Sequence, residues 1–258
     1  MLIDSHCHLD FPELLGDLGG VVRRAREADV GEMLSICTRL DRFAALRELV
    51  AAHESIWCSV GVHPHEADEA DTELTAALLE AAKDPKVVAI GETGLDYYYK
   101  HSAREAQCES FRHHIDVARE TALPVVIHSR DADDDMADLL SENMKRGAFC
   151  GVIHCFTSSQ RLAETALEFG LYISFSGIVT FKNATAIRDV ARTVPPNRLL
   201  IETDSPYLAP VPHRGRTNEP SFVAHTAAFM ADLLGMSLDS LAALTTQNFR
   251  NLFSKAHN

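Results

Sequence analysis

The sequence predicts a (β/α)8 TIM barrel, formed by a single domain over residues 1–258, and three observations support this prediction. Eight short apolar runs alternate with segments of helical periodicity. These runs are mostly apolar, as expected for parallel strands that helices cover on both faces. The length of 258 residues is that of a typical barrel, and no linker divides the chain.

The predicted strands recur at intervals of about 30 residues, the size of one strand-helix unit. They are LIDSHCH (2–8), EMLSICT (32–38), IWCSVGVHP (56–64), VVAIGETGLD (87–96), PVVIHSRDA (124–132), GVIHCF (151–156), LYISFSG (171–177) and RLLIETDSP (198–206). Segments such as DRFAALRELVAAH and AREAQCESFRHHIDVARE have helical spacing. The tail, residues 219–257, predicts further helix packed on the outside of the barrel. The segment 206–220, rich in proline, predicts a long loop after strand eight.

Composition restricts the class of protein. A net charge of −13 argues against a protein that coats nucleic acid without regard to sequence, because such a surface would be basic. The six cysteines are scattered without a C-x-x-C pair, which predicts free thiols. We expect a cytoplasmic protein without membrane association, because no signal peptide is evident and no apolar segment approaches ~18 residues. No protein partner is predicted.

Histidines and acidic residues stand at the carboxyl ends of the predicted strands. In a barrel these ends converge on one mouth, where barrel enzymes place their chemistry. The residues are His6, His8, His63, Glu92, His128, His154 and Asp204. His6 and His8 lie on the same side of their strand, because side chains alternate along it. Each residue taken singly has a structural interpretation, such as a buried histidine or a helix cap. Four histidines (6, 8, 128 and 154) with Glu92 and Asp204 together favour two divalent metal ions, with Glu92 placed to bridge them.

Four further residues are predicted to bind substrate. His63 and His65, in GVHPHEAD, face the site and hold a phosphate or an extra cation, or else they cap a loop. Arg130 grips a phosphate, or else it pairs with the acidic run that follows it. Arg214 is a second candidate for phosphate binding. Tyr97 to Tyr99 and Tyr207 are predicted either to stack on bases or to act as lids over the core.

These stretches resemble the TatD family of metal-dependent deoxyribonucleases, within the amidohydrolase superfamily. The matching motifs are IDSHCHLD, GVHPH, GETGLDYYY, PVVIHSRDA, VIHCFTSS, SFSGIVTFKNA, LLIETDSPYLAP and PHRGRTNEP. The resemblance implies that His6, His8 and Asp204 hold one metal, that His128 and His154 hold the second, and that Glu92 bridges them. The ions would be Mg²⁺, Zn²⁺ or Mn²⁺. Many amidohydrolases use a carboxylated lysine for this bridge, whereas GETG offers no lysine.

The expected function is therefore hydrolysis of DNA phosphodiester bonds by a water that the two metals activate. Glu92 and Asp204 would be catalytic, with Asp204 as the general base. We expect a 3′-5′ exonuclease that acts on short or single-stranded DNA ends, because the negative surface disfavours duplex capture. The alternative is an amidohydrolase or phosphoesterase that acts on small molecules through the same site. A scaffold without catalytic activity is disfavoured, because all six ligand positions are present.

Overall fold

The computed structural model describes residues 1–69 and 73–257, which form a (β/α)8 barrel. Eight parallel strands stand in chain order around one sheet, so each strand pairs with its neighbours in the sequence. The strands are β1 (Leu2–Cys7), β2 (Val30–Ser35), β3 (Ile56–Val60), β4 (Val87–Asp96), β5 (Val125–Arg130), β6 (Gly151–Ile153), β7 (Tyr172–Phe175) and β8 (Leu199–Ile201). The predicted fold is confirmed.

Ten α-helices and several short 3-10 helices occupy the described connections. The α-helices are α1 (Pro12–Leu15), α2 (Leu18–Glu27), α3 (Leu40–Ala51), α4 (Leu74–Ala81), α5 (Arg104–Thr121), α6 (Asp133–Arg146), α7 (Gln160–Glu168), α8 (Thr185–Thr193), α9 (Val223–Leu234) and α10 (Leu238–Leu252). Strands β6 and β8 are only three residues long, so their polar ends lie in the loops beyond them. The predicted runs were longer because they included the residues that follow Ile153 and Ile201, which the structure places beyond the ends of these strands.

The barrel closes between β1 and the segment after β8. The backbone N–H of Asp204 donates to the carbonyl of His6 at 2.9 Å, and the N–H of His8 donates to the carbonyl of Ser205 at 2.8 Å. These two bonds lie at the carboxyl ends of the strands. The seam that closes the barrel therefore also places Asp204 beside the two histidines of β1.

The tail is helical as predicted, but only part of it packs on the outer wall. Side chains of Phe249, Leu252 and Phe253 join the cluster of residues that fills the barrel interior. The side-chain amide of Asn248 donates to the carbonyls of Pro196 (2.7 Å) and Leu199 (2.8 Å), at the start of β8. Helix α10 thus covers the amino-terminal end of the barrel, because the inward-facing side chains there need an apolar cover. This corrects the prediction of an entirely external tail.

Among residues 1–69 and 73–257, no single helix has both the length and the apolar composition needed to cross a membrane. One bent pair, Pro220–Leu234 with Leu238–Leu252, meets these criteria by length and composition only, with an angle of 109° between its halves.

Candidate metal centre

The structure brings the six predicted metal ligands together at the carboxyl end of the barrel. His6 lies in β1, Glu92 in β4 and His128 in β5, while His8, His154 and Asp204 lie in the loops just beyond β1, β6 and β8. Five of them border a cleft of about 460 Å³ that opens to solvent, and the sixth, His6, is buried beneath it. The convergence follows from the parallel barrel, in which every strand delivers its carboxyl end to the same rim.

Glu92 divides the ligands into two groups, one at each of its carboxylate oxygens. The first group lies beside Oε2, which is 3.4 Å from Nε2 of His6. Nε2 of His8 lies 3.3 Å from Nε2 of His6. Asp204 completes this group, with Oδ1 at 3.6 Å from His6 Nε2 and at 3.5 Å from His8 Nε2.

The second group lies beside the other carboxylate oxygen, Oε1 of Glu92. Nε2 of His154 is 2.7 Å from it, and Nδ1 of His128 is 2.9 Å from it. These two ring nitrogens are 3.2 Å apart. His63 also approaches the same oxygen, with its Nε2 at 3.4 Å. A single buried carboxylate thus faces two sets of imidazoles in opposite directions.

Glycines on both sides of Glu92 allow this placement. Gly91 has φ +121°, and a Cβ atom there would come within 2.6 Å of the carbonyl oxygen of Val126. Gly94 has φ +137°, and a Cβ atom there would overlap the carbonyl of His128. Only glycine tolerates such angles and such close contact with the next strand. The GETG motif therefore lets β4 press against β5, so that Glu92 meets His128.

Burial and charge oppose each other at Glu92. Burial alone would raise the pKa of Glu92, but the positive charge of His154 and the hydrogen bonds from His128 and His154 hold that pKa well below its usual range. For His154, burial lowers the pKa, but the negative charges of Glu92 and Glu202 outweigh burial and raise it. Burial lowers the pKa of His63 to about 4, so its imidazole is neutral near pH 7. Glu92 is therefore ionised, and positive charge beside it stabilises its carboxylate.

The donor set fits divalent metal ions. The ligand atoms of His6, His8 and Glu92 lie within 4.8 Å of one another, and so do those of His63, Glu92 and His128. Imidazole nitrogens and carboxylate oxygens are suitable ligands for Zn²⁺ and Mn²⁺. Several of these atoms are lone-pair acceptors that face one another, and such atoms repel unless a proton or a metal ion lies among them. The residues therefore suit a centre that binds divalent metal ions.

The predicted substrate residues fall in different places. His63 and His65 both face the site, and His65 Nε2 lies 2.9 Å from Oδ2 of Asp96. Arg130 borders the cleft, and its guanidinium stacks on the rings of Tyr98 (4.3 Å) and Tyr99 (4.8 Å). Arg214 stacks on the ring of Phe181 at 3.6 Å and is not among the side chains that border the cleft. Its role in substrate binding stays a prediction.

The four tyrosines also separate into two kinds. Tyr98, Tyr99 and Tyr207 are exposed by 56%, 51% and 52%, and the last two border the cleft. Tyr97 is only 7% exposed, and its hydroxyl donates to Asp135 at 2.7 Å. Tyr97 therefore belongs to the core, as the alternative interpretation predicted, while Tyr99 and Tyr207 remain available to a ligand.

Two acidic residues of the site escaped the sequence-based prediction. Asp96, the last residue of β4, lies 3.2 Å from Nε2 of His128 through Oδ2. Glu202, just after β8, lies 3.3 Å from Nδ1 of His154 through Oε1. Both stand at the ends of predicted strands, so position alone could have marked them. Their partners are remote in sequence, and only the closed barrel brings each carboxylate to its histidine.

Comparison with known proteins agrees with this geometry. Residues 3–254 match the family described as TatD related DNase. The uncharacterized metal-dependent hydrolase YcfH of Escherichia coli K12 is 47% identical over 98% of this chain and 95% of its own length. The 3′-5′ ssDNA/RNA exonuclease TatD of Enterobacter lignolyticus is 35% identical over 99% of this chain and all of its own length.

A solved structure has the same fold. The crystal structure of YJJV, a TatD homologue from Escherichia coli K12, superimposes with a TM-score of 0.91 at 30% identity and covers 98% of both chains. The TatD homologue of Entamoeba histolytica superimposes with a TM-score of 0.87 at 24% identity, with 97% of both chains covered.

Proposed function

The chain belongs to the family of TatD-related DNases, which are metal-dependent hydrolases, and from this premise we propose that it cleaves phosphodiester bonds of DNA. It acts as a 3′-5′ exonuclease on single-stranded ends and uses two divalent metal ions. The named exonuclease relative, at 35% identity, supports the direction of digestion and the single-stranded substrate. In this proposal a single domain, residues 1–258, carries the whole activity.

The observation that carries the proposal is the position of Glu92 between the two groups of ligands. His6, His8 and Asp204 would hold one ion and His128 and His154 the other, and Glu92, whose two oxygens face the two groups, would contribute to both. Bound divalent ions supply Lewis-acid activation of a water and of the phosphoryl oxygens.

The chain's own residues bind the substrate and move the proton. Asp204 accepts the proton of the attacking water at a carboxylate oxygen. The hydrogen bond from His8 and the interactions with His6 and His154 outweigh burial and lower the pKa of Asp204, so its carboxylate is ionised before the proton arrives. Among the described residues Arg130 forms no ion pair with the acidic run after it, so its guanidinium can bind a phosphate. His63 and His65 both border the cleft, with 4.3 Å between their ring centroids, and orient the phosphate from there.

The rim of the cleft favours unpaired bases. Tyr99 and Tyr207 are exposed aromatic rings that stand beside the cleft, and Phe11 borders it between His8 and Tyr207. A single strand can turn its bases onto such rings, whereas the bases of a duplex are already stacked on one another. The six free thiols suit a reducing compartment, so a cytoplasmic location is part of the proposal.

The proposal is tested by nuclease assay on 3′-labelled and 5′-labelled DNA, single-stranded and duplex. The protein is assayed after chelation and after Mg²⁺, Mn²⁺ or Zn²⁺ is restored. Glu92→Ala is compared with Glu164→Gln, a change to an exposed carboxylate on α7. We expect stepwise shortening of single strands from the 3′ end, dependent on metal and lost in Glu92→Ala only.

Two results would overturn the proposal. Cleavage that survives chelation or the loss of Glu92 would exclude this site as the source of activity. Metal binding without cleavage of any DNA would exclude the substrate class. Small amides, lactones and phosphate esters would then be assayed, because the same site suits a small-molecule amidohydrolase or phosphoesterase.

A further inference from the structure

The two imidazole groups differ in what holds their rings in place. In the second group, each histidine has its other ring nitrogen on a buried carboxylate. Nε2 of His128 lies 3.2 Å from Oδ2 of Asp96, and Nδ1 of His154 lies 3.3 Å from Oε1 of Glu202. In the first group, Nδ1 of His6 and Nδ1 of His8 are buried without a hydrogen-bond partner in the described part of the chain.

The two carboxylates are themselves fixed by the backbone. Oδ1 of Asp96 accepts hydrogen bonds from the N–H groups of Tyr98 (3.0 Å) and Tyr99 (2.9 Å). Oε1 of Glu202 accepts a hydrogen bond from the N–H of Cys155 at 2.7 Å. Both side chains are only 1% exposed. Their positions are therefore set by the fold and do not depend on a ligand.

A carboxylate on one ring nitrogen changes how the other nitrogen binds a cation. The carboxylate holds the ring N–H, so the opposite nitrogen is the one that loses its proton and offers a lone pair when a cation binds. In His128 that nitrogen is Nδ1 and in His154 it is Nε2, and both point toward Oε1 of Glu92. The hydrogen bond also makes the imidazole a stronger base. Stacking on His154 and on Phe11 orients the rings of His6 and His8 but selects no tautomer.

We propose that Asp96 and Glu202 are positioning residues that make the metal position at His128 and His154 the tighter of the two. Metal ions then load in order, first beside Oε1 of Glu92 and second at the His6, His8 and Asp204 position. This inference rests on the metal dependence in the proposed function, and it adds an order of affinity and the two residues that cause it.

The test measures metal affinity. Metal-stripped protein is titrated with Zn²⁺ in competition with a coloured chelator, for wild type, Asp96→Asn and Glu202→Gln. The matched control is Asp189→Asn, which neutralises an exposed carboxylate that pairs with Arg192 on α8. Wild type is expected to show two classes of site. Each of the two test variants should weaken the tighter class roughly 10–100-fold and leave the weaker class unchanged, because outer partners of metal ligands have effects of this size.

A complementary variant assigns the classes to positions. His8→Gln should weaken only the looser class, because His8 lies in the first group. Thermal unfolding of the metal-free variants checks that they fold. Glu202→Gln keeps an oxygen that accepts a hydrogen bond from the N–H of Cys155. If Glu202→Gln does not fold, the zinc affinity of Asp96→Asn tests the inference by itself.

Three results would overturn the inference: two wild-type classes of equal affinity, test variants with unaltered zinc affinity, or a loss confined to the looser class. These are distinct from a failure of the proposed function. Both test variants should regain nuclease activity at saturating metal, whereas a wrong substrate class would leave even the fully loaded wild type without it.

Discussion

The imidazole rings of His6 and His154 stack face to face, with 3.9 Å between their centroids and 7° between their planes. One ring comes from β1 and the other follows β6, so the contact spans the mouth of the barrel. Since the two residues belong to different ligand groups, the stacked rings form a direct contact between the two groups. A change to His6 therefore reaches both groups, whereas His8 contacts the first group alone.

This relationship predicts different metal losses for two neighbouring variants. His8→Ala should remove one ligand nitrogen and reduce bound zinc by about one ion per chain, as expected for a position with few remaining ligands. His6→Ala should reduce it further, because the ring of His154 loses its support. Zinc per chain is measured by atomic absorption after dialysis. Equal losses in the two variants would show that the stack does not connect the groups.

The exposed rings at the cleft predict an effect on substrate affinity. Tyr99→Ala and Tyr207→Ala should each raise KM for single-stranded DNA about 10-fold with little change in kcat, because base-aromatic stacking contributes about 1–3 kcal/mol per base. Tyr99→Phe should retain wild-type KM, since the ring and not the hydroxyl stacks. Steady-state kinetics on a labelled oligonucleotide measure both constants. An unchanged KM in both alanine variants would remove the rings from the substrate path.

Arg130 is expected to bind a phosphate of the DNA. Arg130→Ala should raise KM and make its dependence on salt shallower by about one unit in the log-log slope, because one phosphate contact is lost. Arg130→Lys should recover the slope only in part, since lysine loses the planar stack on Tyr98 and Tyr99. KM is measured over a range of salt concentrations.

The control for Arg130 is Arg161→Ala, which removes an exposed guanidinium paired with Asp134 on the helical face. Its salt slope should equal that of wild type. If Arg130→Ala gave the same slope as this control, the phosphate contact would have to be assigned to another cation of the chain.

The buried histidine of α5 predicts a loss of stability in acid. Nε2 of His114 accepts the N–H of Val62 at 3.0 Å, and Nδ1 lies 2.7 Å from the carbonyl of Ser110. Burial lowers the pKa of His114 to about 4 from the 6.5 of an exposed histidine. The unfolded chain therefore binds the proton first, and stability is lost as pH falls from 6.5 toward 4.

Between pH 7 and pH 5 this titration should lower the free energy of unfolding by about 2 kcal/mol. His114→Gln should lose that much less stability over the same interval, because glutamine does not titrate. His113→Gln, at the neighbouring and far more exposed position, should behave like wild type. Urea denaturation of metal-free protein at both pH values gives the comparison. Parallel losses in all three proteins would contradict the assignment.

Much of the site followed from local sequence pattern. Alternation along a strand places His6 and His8 on one side of β1, and an apolar run before His128 marks it as a strand end. These inferences need only the geometry of a strand and the rule that parallel strands in a barrel share one rim. The run 87–96 predicted β4 with its bounds, because it is apolar on both faces.

Other features arise only when the chain is closed. Glu202 and Asp204 are two residues apart, yet Glu202 meets His154 and Asp204 meets His8. Strand alternation does not apply to this pair, because β8 ends at Ile201 and Asp204 has φ +57°. Local pattern contains no information on that turn.

The sequence by itself determined the fold class, the rim on which the polar residues gather and six side chains suited to metal. The tertiary structure decided how they are divided: which oxygen of Glu92 faces which histidines, and which histidines rest on a buried carboxylate. The physical reason is that the two kinds of information act over different separations along the chain. Periodicity and strand order act along the chain, whereas the contacts of Asp96 with His128 and of Glu202 with His154 exist only between strands that the closed barrel brings together.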